Sequence, residues 1–221
     1  MKQSIKKIVA LLVSISSILA FSLNAAAGTP HPGDGYECDH GYRTFGDKVM
    51  NYGVGNYGKN RRYFYMTGFD SFYARYIRDS VSKWVNTTDD IGVTTSISIR
   101  ETSTRSDALF EFVNTYLGAN ILGKTSFYMY QESVPLNKDG ALTGNYGWAR
   151  CEISVKTLNG SGASTENAKS KVGTIAHELG HAMGLSHQNY RPASIMCQTG
   201  SGRTAWRADR TDLLTINHLY G

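Results

Sequence analysis

The chain has 221 residues, 41% hydrophobic and 19% charged, with a formal net charge of +5. That length supports one substantial core and is short for two domains. Lys2, Lys6 and Lys7 supply three of the positive charges, and beyond them no dense basic stripe remains, so a nucleic-acid partner is excluded.

Those lysines precede an apolar run over residues 8–23, and Ala25-Ala26-Ala27 supplies small residues for cleavage, so residues 1–27 read as a secretory signal peptide. A membrane anchor is the competing reading, but the run carries Ser14, Ser16, Ser17 and Ser22 and is short for a span. The expectation is a secreted, extracellular monomer with no stable membrane anchor. Removing 27 of the 221 residues leaves 194, and the charge falls to +2.

Residues 28–44 are rich in Gly, Pro and His and read as an irregular arm; residues 45–221 read as one folded domain. Residues 48–56 predict a first strand, ended by Gly53, Gly55 and Gly58. Arg61-Arg62 reads as a solvated turn. Over residues 72–85, Phe72, Tyr73, Tyr76, Ile77, Val81, Trp84 and Val85 form a helical stripe, with Asp70 or Ser71 as its cap. Residues 91–99 and 108–112 alternate as strands, and 121–130 and 148–155 bring the count to five. The Gly/Ser-rich stretch 159–164 then leads into a helix over about 165–184.

That helix carries His177-Glu178-Leu179-Gly180-His181-Ala182-Met183-Gly184-Leu185-Ser186-His187, an uninterrupted H-E-x-x-H-x-x-G-x-x-H. Four residues apart on a helix, His177 and His181 project from one face toward a single ion. Glu178 flanks that ion without ligating it, as a general base would. Gly184 can take the left-handed conformation that ends a helix and swings His187 in as third ligand. Three neutral nitrogens leave the fourth tetrahedral position of a zinc ion open, which distinguishes a catalytic from a structural site. With 6 His and 23 Gly in the chain, such a match by chance is rare, on the order of 10⁻⁵. His31, His40 and His218 lack ligand spacing.

These residues resemble the metzincin clan of zinc endopeptidases, in which a methionine-bearing turn lies beneath the metal, and Met196, nine residues past His187, stands where that turn belongs. The segment Asp212-Leu213-Leu214-Thr215-Ile216-Asn217-His218-Leu219-Tyr220-Gly221 is similar to the last helix of the matrixin catalytic domain. The resemblance implies an α+β fold: a twisted five-stranded mixed sheet with two long helices, an upper subdomain to about residue 184 and a small lower one, 185–221, ending in a helix. It implies a zinc metalloendopeptidase acting on protein or peptide, with residues 121–130 as the edge strand that receives substrate. The segment 198–206, including Arg203 and Trp206, would wall the pocket beyond the cut. Alternative readings are a peptide-binding module on the same scaffold with little turnover, or a zinc hydrolase of a non-protein substrate.

Cys38, Cys151 and Cys197 allow one disulfide in an oxidising compartment, with the pairing open. Matrixin precursors silence their zinc with a cysteine, but the residues around Cys38 do not match that inhibitory motif. Asp34 and Asp47 read as turn aspartates rather than as masks for the zinc. Asp89-Asp90 could bind Ca2+, as matrixins often do, yet no compact oxygen-ligand loop surrounds them, and a solvated turn is the expectation.

Overall fold

The computed structural model describes residues 41–56, 61–85, 88–160 and 168–221. The leader, most of the arm, Asp34, His31, His40 and Cys38 lie outside the described residues. A six-stranded mixed sheet has the order β2-β1-β3-β6-β4-β5. Its strands are β1 (Arg62–Thr67), β2 (Ile99–Glu101), β3 (Phe110–Asn114), β4 (Gly123–Met129), β5 (Glu132–Ser133) and β6 (Trp148–Ile153). The pairs β1–β2, β1–β3 and β3–β6 are parallel, whereas β4 is antiparallel to both β6 and β5. Because β5 pairs only with Tyr128 and Met129, the outer edge of β4 from Gly123 to Ser126 has no strand partner among the described residues.

Helix α1 (Ser71–Ser82) starts at Asp70, whose side chain accepts from Tyr73 N at 2.8 Å. It buries Tyr73, Tyr76, Ile77 and Val81. A single turn, α2 (Thr88–Ile91), and a short α3 (Val155–Gly160) follow before the long α4 (Ala168–Ala182). The back of α4 is tied to α1: the Trp84 indole donates to Ala176 O at 2.9 Å, and Ser80 Oγ lies 2.9 Å from Val172 O. The front of α4 packs on β4 and β6, where Phe127, Ala149, Cys151 and Ile153 are buried. Helix α5 (Arg210–Tyr220) closes the lower region with a capping box between Asp209 and Asp212.

The α+β class and the order of the long helices match expectation; the sheet has six strands rather than the expected five, because Arg62–Thr67 and the short Glu132–Ser133 join it while 48–56 does not, and three local readings change. Residues 48–56 are not a sheet strand: Gly53 and Gly55 take positive φ (66° and 115°), and Met50 makes an isolated bridge to Tyr146. The first strand is Arg62–Thr67. Arg62 is therefore not in a solvated turn; it begins β1 and its guanidinium donates to Tyr52 O. Within 91–99 only Ile99 joins a strand, because α2 takes Ile91 and Gly92 turns with φ 72°. No helix among the described residues is long and apolar enough to cross a membrane.

Candidate metal centre

Helix α4 places His177 and His181 one turn apart, both buried, with their Nε2 atoms 3.0 Å from each other. The helix then stops in a Schellman arrangement: Leu185 N donates to Gly180 O (3.1 Å), Gly184 N donates to His181 O (2.8 Å), and Gly184 has φ 98°. Side chains satisfy the next two carbonyls. The Tyr146 hydroxyl donates to Ala182 O at 2.9 Å and that of Tyr220 to Met183 O at 3.0 Å. The reversal delivers His187, whose Nε2 is 3.1 Å from that of His181.

The donor chemistry of this cluster fits a zinc ion. His177 Nδ1 lies 2.8 Å from Ile195 O and His181 Nδ1 2.7 Å from Leu185 O. A carbonyl only accepts, so both Nδ1 atoms carry the proton. Burial drives the pKa of His177 well below its ordinary value and that of His181 down to about 3, so both rings are neutral and their Nε2 lone pairs face each other. Bare lone pairs 3.0 Å apart repel unless a cation lies between them. Tetrahedral zinc with Zn–N bonds of about 2.0–2.1 Å separates its nitrogens by about 3.3 Å, close to the spacing here. Among the described residues these three histidines form the metal-ligand cluster.

Beneath them lies Met196, fully buried. A Cβ at Gly180 would collide with the Met196 sulfur and with Trp84, so the close floor depends on a glycine inside the helix. The turn carrying Met196 hangs from α5. Ser194 Oγ donates to Asp212 Oδ1 (2.6 Å) and Ile195 N donates to Asp212 Oδ2 (3.0 Å). Since Ile195 O receives His177 Nδ1–H, Asp212 is linked to the His177 ring through a single residue, Ile195.

Glu178 is buried, and burial pushes its carboxyl up to about 7, opposed by a hydrogen bond from Thr125 and the charge of Arg203. Thr125 Oγ1 donates to Glu178 Oε2 at 2.7 Å, with Glu178 O at 3.0 Å as an alternative acceptor. A Cβ on Gly123 would lie 2.6 Å from Glu178 Oε1. Strand β4 can therefore approach the carboxyl only because residue 123 is glycine. All these groups open onto a cleft of about 550 Å³ lined by His177, Glu178, His181 and His187.

A family model of the matrixins matches residues 76–221, about two thirds of the chain. The chain belongs to the matrixin family. This matrixin also has a likeness to two solved structures of myroilysin, each at 15% sequence identity. One has a TM-score of 0.36, covering 65% of this chain and 56% of that one; the other has 0.38, covering 79% and 94%. Against the first structure the chain thus spans little more than half the neighbour's length. A search of curated proteins returned no match.

In this matrixin the cleft brings together His177, Glu178, His181, His187 and Arg203, with Met196 below. It does not include Trp206. Gly173 on α4 allows the backbone of Trp206 to approach closely, and the indole lies under the ammonium groups of Lys83 (4.5 Å) and Lys169 (5.3 Å), away from the site. Sequence reasoning missed Gly123 and Thr125, which reach Glu178 from a strand more than fifty residues away. Cys151 and Cys197 are buried and unpaired with each other, so the expected disulfide does not join them. Asp47 sits in a turn with Thr44, and its Oδ1 is 3.1 Å from His218 Nε2. Asp90 forms an ion pair with Arg207 at 2.6 Å.

Proposed function

We propose that this matrixin is a secreted zinc endopeptidase with Glu178 as its general base. One observation carries the reading: two bare, neutral imidazole nitrogens, a third converging on them, and a carboxyl held near neutrality share one cleft. Zinc held by His177, His181 and His187 would supply Lewis acidity toward the peptide carbonyl and bring water's pKa to about 7. Glu178 does the proton work. A carboxyl poised near 7 can take a proton from the attacking water and return it to the leaving amine. Thr125 fixes Oε2, so Oε1 is the oxygen free to exchange that proton. The substrate backbone is held by β4, whose unpaired outer edge beside the cleft suits an extended peptide adding as a further strand. Secretion is supported by the leader-like composition of residues 1–27.

The test is hydrolysis of unfolded casein by the purified protein, with chelator and after zinc is restored. Glu178→Gln should keep its zinc and lose at least about 100-fold in rate, the scale of general-base catalysis. Near-normal turnover in that variant removes Glu178 from its role. A zinc-loaded wild type that binds peptides without cutting them favours the binding-module reading instead.

A further inference from the structure

The cleft has a lining cation that the hydrolytic machinery does not use. Phe45, Ile121, Leu122 and Leu136 give it apolar lining, and the guanidinium of Arg203 reaches it between α4 and the segment after Met196. Its Nη2 donates to Thr174 Oγ1 at 3.0 Å and its Nη1 to Cys197 O at 3.4 Å, both neutral acceptors. None of the arginine ion pairs among the described residues involves Arg203. Its Nε donates to nothing among the described residues and is not among the enclosed atoms without a partner, so it keeps access to solvent in a residue that lines the cleft. Burial lowers its pKa to about 10, which leaves it cationic at neutral pH and poorly hydrated. Lys124 lines the same cleft, and Glu178 is the single acid there, so cations outnumber carboxyls even before a metal is counted.

We propose that Arg203 is a specificity-determining residue that takes a substrate carboxylate, so that this matrixin favours an acidic group on the leaving-amine side of the scissile bond. The inference rests on the protease reading above. A planar guanidinium hydrogen-bonded only to neutral acceptors, with Glu178 the one acid of its cleft, binds a further carboxylate through charge-assisted hydrogen bonds that an uncharged isostere forgoes. The carboxylate can come from a Glu or Asp side chain or from the peptide's own C-terminus.

The test uses end-blocked fluorogenic peptides carrying Glu, Gln, Leu or Lys at each of the three positions after the cut. A parallel Gln series has free or amidated C-termini. For wild type, kcat/KM with a carboxylate at one of these places should exceed that of its neutral counterpart by about tenfold, and raising salt should shrink the ratio. In Arg203→Met the ratio should fall below about twofold, and Arg203→Glu should prefer Lys. A preference that follows the free terminus identifies the C-terminal carboxylate as the source; one that follows Glu identifies the side chain. An unchanged profile in Arg203→Met, or a wild type that cuts Leu and amidated peptides fastest, overturns the assignment. If Arg203→Met fails to fold, the wild-type ratio and its salt dependence still decide. Absence of casein hydrolysis by zinc-loaded wild type sinks the protease reading itself.

Discussion

Burial pushes two carboxyl groups, Glu178 on α4 and Asp212 on α5, up to about 7, yet their surroundings are opposite. Asp212 is fully enclosed and accepts from Ser194 Oγ (2.6 Å), Ile195 N (3.0 Å) and Asp209 N (2.9 Å). Glu178 has the hydroxyl of Thr125 and otherwise borders the cleft. An acid saturated with donors fixes whatever donates to it. An acid left short of donors is available to water and to a changing proton load. Desolvation alone therefore does not tell the two carboxyls apart; the count of donors does.

The largest effect expected from this contrast is in Asp212→Ala. Three donors, two of them buried, lose their acceptor, which should cost about 3–5 kcal/mol in urea denaturation and weaken zinc binding through the loosened Ile195–His177 link. A loss below about 1 kcal/mol would show that the saturated network is not structural.

A second effect is read in metal-free protein. The Glu178 carboxyl has a folded value of about 7, raised above the ordinary 4.5. Its contribution is fully present below pH 4.5 and is lost as pH rises through 7. Relative to Glu178→Gln, wild type should lose about 3 kcal/mol across that window and then level off. Asp212 titrates in both proteins and cancels in the difference. A flat difference curve would mean that the cleft hydrates Glu178 enough to erase the contrast.

The smallest change concerns Gly123→Ala. The new methyl would displace the end of the Glu178 side chain, so kcat/KM should fall about ten- to hundredfold while the urea midpoint barely moves. A large drop in stability instead would mean that β4 cannot give way and that Gly123 serves packing before catalysis.

The two halves of the site differed in how far they could be read from sequence. His177, His181 and His187 lie on one helix and its cap, so local spacing alone brings them together. The surroundings of Glu178 come from β4, and no local pattern announces that Gly123 and Thr125 will face it. Arg203 and Trp206 are three residues apart on the same segment, yet one lines the cleft and the other packs under Lys83 and Lys169. Nothing in their types separates them; the close approach permitted by Gly173 does. The strand expected over 48–56 failed for a similar reason, since its glycines serve long-range contact: a Cβ on Gly55 would come within 2.8 Å of Ser98 N.

The Tyr220 hydroxyl joins distant parts of the chain: it accepts from Met50 N (3.1 Å) and donates to Met183 O beside the helix stop that delivers His187. Ribosomes release a chain in order, so His177, His181 and His187 emerge more than thirty residues before the phenol that pins the end of their helix. A nascent chain thus carries the complete ligand motif while its geometry is still unlocked. The helix stop that delivers His187 is therefore pinned only once α5 docks.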